Sequence, residues 1–256
     1  MAWGQFCWIP CPYKKWNEDD RPAVPAMLPL VGIFIGLIVG LAWWGLIALG
    51  ISKVLCGAMI TGLYFMLTGF IHLDGYMDCC DAVLPRHPDM ERRREILKDP
   101  HTGAFGAIGL ALMLVLFTAS TIELSGRHPL ELVVISVIVF SVSRAAAAVD
   151  VLTSAPMGTS QYAEIRKKNA KLASWIPLIV TVLVIAAGII VLKAAGGKGL
   201  HGSIDIILLP TIITLFVAQL AGRVDRRALG GMNGDIAGHM IVTAEMFGML
   251  ATAVIA

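Results

Sequence analysis

Met27-Leu-Pro-Leu-Val-Gly-Ile-Phe-Ile-Gly-Leu-Ile-Val-Gly-Leu-Ala-Trp-Trp-Gly-Leu-Ile-Ala-Leu-Gly-Ile-Ser52 runs from end to end without an ionisable side chain. About 20 apolar residues of helix, each rising about 1.5 Å, cross a hydrocarbon core about 30 Å thick. Inside that core every backbone polar group must be satisfied by the chain itself, which leaves helices or closed barrels. The apolar residues do not alternate with polar ones, so the stretch reads as a helix. Six more stretches have the same character: Val54–Ile71, Ala104–Ile122, Leu130–Val149, Ser174–Leu192, Ile204–Gly222 and Ile236–Ala256. The expected fold class is all-α, a polytopic transmembrane bundle of about seven spans.

Composition agrees. Of 256 residues, 57% belong to the set AVILMFWYC and 15% are charged. Mean hydropathy is +0.78. Counted with glycine in place of tyrosine the apolar share is roughly two-thirds, against roughly 45–50% in soluble domains. Water-soluble globules and disordered chains are excluded on that ground. A formal net charge of +2 is not the footprint of a polyanion binder, so no nucleic acid is expected as a partner. Five cysteines, with Cys79 and Cys80 adjacent, do not make a disulfide framework. No repeat or low-complexity linker divides the chain, and residues 1–256 read as one membrane domain. Residues 1–26 lack the basic start and small-residue cleavage site of a signal peptide. Trp3, Phe6, Trp8, Tyr13 and Trp16 instead suggest an aromatic anchor in the interface.

Basic residues give the orientation. Lys14, Lys15 and Arg21, then Arg86, Arg92, Arg93, Arg94 and Lys98, then Arg166, Lys167, Lys168 and Lys171, then Arg223, Arg226 and Arg227 occupy alternate connections. The opposite connections hold only Lys53, Arg127, Lys193 and Lys198. The positive-inside rule predicts a cytoplasmic N-terminus and an external C-terminus. Nearly all the polar chemistry falls on the basic side.

Directly after the second apolar run comes His72-Leu-Asp-Gly-Tyr-Met-Asp-Cys-Cys-Asp81. If the helix continues past Ile71, Asp74, Asp78 and Asp81 lie at i, i+4 and i+7, within about 40° of one another. Like charges at such spacings repel. No Lys or Arg stands within four residues of Asp74, Asp78 or Asp81 along that helix. A hard divalent cation bound by carboxylate oxygens supplies the compensation, and with a phosphorylated substrate Mg²⁺ is the default. His72 is within reach of the same site. Cys79 and Cys80 read as packing residues, since neighbours on a helix point about 100° apart and suit a shared metal poorly. Residues 72–103 form the expected cytoplasmic catalytic loop and helix.

Phosphate-type features stand nearby. Gly103 and Gly106 fall where the third span begins, and the free N–H groups of a helix N-terminus favour anions. Asp99 adds a fourth cytoplasmic carboxylate. The Arg92–Arg94 run reads as a topology determinant. Gly230-Gly-Met-Asn-Gly-Asp235 forms a loop whose three glycines and Asp235 suggest close approach to a ligand. Arg144 lies inside the fourth span, where it either snorkels or faces an anion. Glu245 is deeper in the seventh span, and an intramembrane acid is a functional candidate by default. From the residues alone, this is a membrane protein with a cytoplasm-facing, metal-dependent site for a phosphorylated or diphosphate substrate.

The acidic block resembles the HLDGxxDxxD signature of the cobalamin synthase family, the adenosylcobinamide-GDP ribazoletransferases. Glu95-Ile-Leu-Lys-Asp99 and Thr102-Gly-Ala-Phe-Gly106 are similar to the family's EIMKD and GTFG blocks, and Ser143-Arg144 to its SR pair. Leu229-Gly-Gly-Met-Asn-Gly-Asp235, with Gly238 and Glu245 beyond, resembles its LGGxTGD loop and helical acid. Leu28-Pro-Leu-Val-Gly32 matches the usual opening of its first span. The blocks keep family order over most of the chain. Two departures stand out: Pro100-His101 replaces the family's Ser-Arg, and Asn233 replaces a threonine.

The resemblance implies a reaction. α-Ribazole or its 5′-phosphate attacks the diphosphate of adenosylcobinamide-GDP, GMP leaves, and cobalamin or its phosphate forms. It also implies Mg²⁺ at Asp74, Asp78 and Asp81, with Asp81 or Asp99 available to take the ribose hydroxyl proton. His72, Gly103, Gly106, Arg144, Gly234, Asp235 and Glu245 are then the expected substrate and phosphate contacts. The expected setting is the prokaryotic inner membrane, and the expected partners include other cobalamin-assembly enzymes. Two rivals are a UbiA-like prenyltransferase, whose aspartates are usually spaced three then four rather than four then three, and a transporter using Arg144 and Glu245.

Overall fold

The computed structural model describes residues 1–11, 23–158, 173–196 and 205–255. Among these, ten α-helices follow in order: α1 (Ala2–Phe6), α2 (Leu28–Ala48), α3 (Lys53–Leu67), α4 (Ile71–Val83), α5 (Met90–Ile96), α6 (Ala104–Leu124), α7 (Pro129–Thr153), α8 (Trp175–Ala195), α9 (Asp205–Leu229) and α10 (Gly234–Val254). A 3₁₀ turn, Pro25–Met27, leads into α2. The described residues contain no strand, only an isolated bridge between Pro156 and Met232. Six helices (α2 and α6 to α10) are long and apolar enough to cross a membrane, and α3 with α4 would make a seventh span. Tyr13, Trp16, Lys14, Lys15, Arg21, Arg166, Lys167, Lys168, Lys171, Lys198, Ile204 and Ala256 lie outside the described residues.

The second span departs from expectation. The acidic block does not continue the apolar helix but turns through 91° from it. Gly69 and Phe70 make the corner with φ of 59° and 60°, left-handed values that are costly for phenylalanine. The physical reason lies in the two sides of α4: run straight on, it would stand in water, whereas the turn buries Leu73, Tyr76 and Cys80 against the bundle and leaves the carboxylates at its end. The corner is pinned from outside: the Trp8 amide donates to the Leu67 carbonyl at 2.8 Å, satisfying a group at the open end of α3. The N-terminal aromatics divide accordingly. Trp8 stays exposed, whereas Phe6 turns inward and stacks on His72 with ring centroids 5.8 Å apart.

Helix α7 is the axis of the bundle, buried along most of its length and packed by α2, α8, α9 and α10. The antiparallel contact with α2 is set by Gly32, Gly36 and Gly40, one small residue per turn. A Cβ on Gly36 would come 2.6 Å from Val137 Cα, and one on Gly40 2.6 Å from Val133 Cα. Apolar side chains gain nothing from leaving lipid, so such backbone approach is what holds membrane helices together.

Two intramembrane charges meet in this core. Arg144 on α7 and Glu245 on α10 are both fully buried, with Nη1 to Oε1 at 2.5 Å. Arg144 also donates to the Phe140 carbonyl at 2.9 Å, and Glu245 accepts from Ser143 Oγ at 2.7 Å and from the Tyr64 hydroxyl. Of the two expectations for Arg144, snorkelling or facing an anion, the structure shows the second, and the anion it faces is Glu245. Removing one member of such a pair strands the other and costs about 3–5 kcal/mol.

The α2–α7 contact yields a paired prediction. Gly36→Ala forces a methyl into the Val137 backbone and should lower stability by about 1–3 kcal/mol. A Cβ on Gly45 of the same helix would meet nothing within 4 Å, so Gly45→Ala should be neutral or stabilising by up to about 1 kcal/mol. Thermal unfolding of the two variants in detergent checks the difference; equal midpoints would contradict the packing.

Candidate active site

Helix α4 crosses α10 at close range. A Cβ on Gly75 would come 2.8 Å from Asp235 Cα, and one on Gly238 would come 2.9 Å from the His72 carbonyl oxygen. Only glycine at these positions lets the acidic helix lie against the first turns of α10. The result is a fourth acid beside the predicted three. Asn233 caps α10 by accepting from the Ile236 amide at 3.0 Å, and its Nδ2 donates to Asp235 Oδ2 at 2.7 Å, aiming that carboxylate. Asp74 is exposed; Asp78, Asp81 and Asp235 are half-buried. Partial burial, then the charges of Asp74, Asp235 and Asp81, push the Asp78 carboxyl up to about 6. These carboxylates hold their neighbour back from ionising.

Asp81 has a second role that its spacing along the chain does not suggest. Its two oxygens accept from the amides of Gly103 at 2.7 Å and Gly106 at 2.8 Å, the N-terminus of α6. The anion at that helix end in this structure is the chain's own carboxylate. A side chain on either glycine would run into it. Each Asp81 oxygen keeps a lone pair, so the carboxylate can still face a cation while tying α4 to α6.

The glycine loop is likewise partly spent on structure. Gly230, with φ of 77°, ends α9, its amide returning to the Arg226 carbonyl at 2.8 Å. Gly231 packs on the Met157 backbone, where the Met232 amide bonds Ala155 and the Met157 amide bonds Met232. Gly234 alone of the three lines the cleft. The Arg92–Arg94 run docks α5 onto the same corner: Arg94 Nε donates to the Leu229 carbonyl at 2.7 Å and Arg93 to that of Ala228 at 3.3 Å. Asp150, at the end of α7, pairs with Arg226.

A cleft of about 180 Å³ opens between α1, the 3₁₀ turn, α4 and α10. Phe6, Leu28, His72, Asp74, Gly234 and Asp235 are among its walls. His72 is 5% exposed, and its Nε2 has no hydrogen-bond partner among the described residues. Burial, with the positive charge of Arg144, lowers its pKa to about 3, so the ring is neutral. Asp99 stands apart in the exposed α5–α6 turn, accepting from the His101 amide at 2.9 Å and touching His101 Nδ1 at 2.7 Å. Those contacts hold its carboxyl below the usual range. Of the predicted residues, then, His72, Asp74, Gly234 and Asp235 line the cleft, and Asp78 and Asp81 follow on α4, where Asp78 feels the charges of Asp74, Asp235 and Asp81. Arg144 and Glu245 hold α7 to α10 below it, and Gly103 and Gly106 bind Asp81. Phe6 and Asp150 are not singled out as site residues by the sequence; nothing in their spacing marks the partners they find on distant helices.

A family model for cobalamin-5-phosphate synthase matches residues 1–253. Curated relatives include proteins called adenosylcobinamide-GDP ribazoletransferase. The one from Clostridium perfringens (strain 13 / Type A) is 30% identical over 256 residues, covering 100% of this chain and 96% of the relative. That from Lachnoclostridium phytofermentans is 27% identical, with 99% and 92% covered. That from Stutzerimonas stutzeri is 31% identical, with 85% and 81% covered. No solved structure matches the chain. With its matched blocks spread from the first helix to the last, the chain belongs to the cobalamin-5-phosphate synthase family.

Proposed function

We propose that the acid-lined cleft end is where the family's transfer takes place in this chain. The enzyme moves the adenosylcobinamide-phosphate group from adenosylcobinamide-GDP to α-ribazole or its 5′-phosphate, in the last steps of cobalamin biosynthesis. A ribose hydroxyl oxygen forms the new bond to the phosphorus that carries cobinamide and gives up its proton to a carboxylate, Asp81 or Asp99, while the bond from that phosphorus to the oxygen of GMP breaks. The observation that carries the assignment is the surroundings of Asp78, where the charges felt are those of Asp74, Asp235 and Asp81 and all are carboxylates.

Such a donor set fits Mg²⁺: hard oxygens, no thiolate or imidazole, and an excess of negative charge that a dication relieves. Bound by Asp74, Asp78 and Asp81 beside Asp235, Mg²⁺ would offset the diphosphate charge and stabilise the departing GMP. The chain's own residues do the placing. Asn233 aims Asp235, the α6 amides fix Asp81, and neutral His72 offers an unpaired Nε2 to a polar atom of the substrate. Phe6, stacked on that imidazole, keeps one side of the cleft apolar for a bulky group.

Purified protein with Mg²⁺ should release GMP from adenosylcobinamide-GDP only when α-ribazole or its phosphate is supplied. Asp78→Asn should lower that rate at least a hundredfold at saturating Mg²⁺ while leaving the thermal midpoint near that of the parent. No GMP from a folded preparation given both substrates would refute the transfer reading. Near-normal turnover by Asp78→Asn would remove Asp78 from the metal site.

The basic side of the chain supports a cytoplasmic site. Arg86, Arg92, Arg93, Arg94, Lys98, Arg223, Arg226 and Arg227 belong to the connections at the α4–α5 and α9–α10 end. Lys53 and Arg127 belong to those at the other. Single cysteines can be placed at each end in a background whose native cysteines are replaced. With an impermeant thiol reagent on intact cells, Lys98→Cys should stay unlabelled until the membrane is opened, and Glu123→Cys should label at once. The reverse pattern would invert the topology.

A further inference from the structure

Behind the acidic face of α4 lies a second group of ligand-type side chains that the transfer reaction does not use. Cys79 on α4, Asp225 on α9 and His239 on α10 each offer one ligand atom, all within 4.8 Å of one another. Cys79 and Asp225 are fully buried, and the His239 side chain is 18% exposed. Cys79 follows Asp78 in sequence but points about 100° away on the helix, toward α9 and α10 rather than the aspartates.

Two observations mark this cluster as more than packing. His239 Nδ1 sits 2.5 Å from Asp225 Oδ2, yet Asp225 Oδ1 is buried with no partner among the described residues. A fully buried carboxylate with one oxygen left bare is an unfinished site. Beside it a groove of about 390 Å³, walled by Val83, Val217, Leu220, Val224 and Phe247, brings Thr243 to the same spot, and Thr243 Oγ1 is also buried without a partner.

The geometry points to a metal site at Cys79, Asp225 and His239 that takes a borderline dication of the Zn²⁺ type and clamps α4 to α9 and α10. Thiolate and imidazole donors select such an ion over Mg²⁺, and a Cys-His-Asp set leaves a fourth tetrahedral position open to the groove. Binding expels to water both the Cys79 thiol proton and the proton that His239 shares with Asp225, which leaves a neutral imidazole as ligand. One thiolate and one carboxylate then balance the dication, so the buried unit carries no net charge. The three ligands come from the acidic helix and from the two helices joined by the glycine loop. The ion would fix the pose of the carboxylates without touching the substrate. This site stands on different side chains from the aspartate cluster, and its test is independent of turnover.

Full-length protein in detergent, stripped with a chelator, is titrated with Co²⁺ as a spectroscopic stand-in. One equivalent should give a thiolate-to-Co²⁺ charge-transfer band and the visible bands of a tetrahedral ion, abolished by Zn²⁺ but not by Mg²⁺. Cys79→Ser should lose the charge-transfer band, and Asp225→Asn should weaken Co²⁺ binding at least tenfold. Cys80→Ser and Asp78→Asn should retain the band. Absence of the band in folded parent protein, or its survival in Cys79→Ser, would overturn the assignment. Should Cys79→Ser fail to fold, unchanged affinity in Asp225→Asn would overturn it equally.

Discussion

Helix α4 is apolar on one side and acidic on the other, and the architecture around the site depends on laying it across the end of the bundle so that the apolar side is buried and the carboxylates are not. At Gly69 and Phe70 the chain leaves α3 and turns through a right angle, so that Asp74, Asp78 and Asp81 run along the end of the bundle. A helix laid sideways needs holding. Trp8 closes the open end of α3, Gly75 and Gly238 let α4 seat on α10, and Asp81 reaches across to the first amides of α6. Each contact is local and small, yet together they put several like charges in one place. Partial burial first, and then that crowding, push the Asp78 carboxyl up to about 6. A carboxyl held back from ionising among other carboxylates is poised to exchange its proton for a cation.

Below the site the core is polar where it must be rigid. Arg144, Glu245, Ser143 and Tyr64 form a buried set between α7, α10 and α3, away from water. Its effect on the site is indirect. By holding α10 against α7 it sets the depth at which Asn233 and Asp235 emerge, and hence where Asp235 meets Asp74. Buried ion pairs contribute less to net stability than to defining one arrangement of helices, which is the role the geometry gives this one.

Much of this is legible in the sequence. Apolar runs mark the helices, and the i, i+4, i+7 spacing puts three acids on a shared face. Matters of pairing and direction are not legible in the same way. Nothing in Thr68-Gly69-Phe70 announces a right-angle corner, since one glycine in a membrane helix is common. Arg144 and Glu245 stand out as intramembrane charges, but their separation along the chain hides the fact that they answer each other. Gly103 and Gly106 resemble a phosphate cradle because helix N-termini attract anions; the attraction is real, but the anion is Asp81. Cys79 reads as packing on the sound ground that it and Cys80 cannot share an ion. Its partners lie on two other helices, and spacing along a single helix does not show them.

That a cation belongs among the aspartates of α4 and α10 is tested most directly by anomalous scattering from crystals grown or soaked with Mn²⁺ in place of Mg²⁺. The expected result is an anomalous peak within bonding distance of carboxylate oxygens of Asp74 and Asp78, on the side facing Asp235. Ordered Asp74 and Asp78 side chains with no peak between them, at Mn²⁺ concentrations that support GMP release, would contradict it.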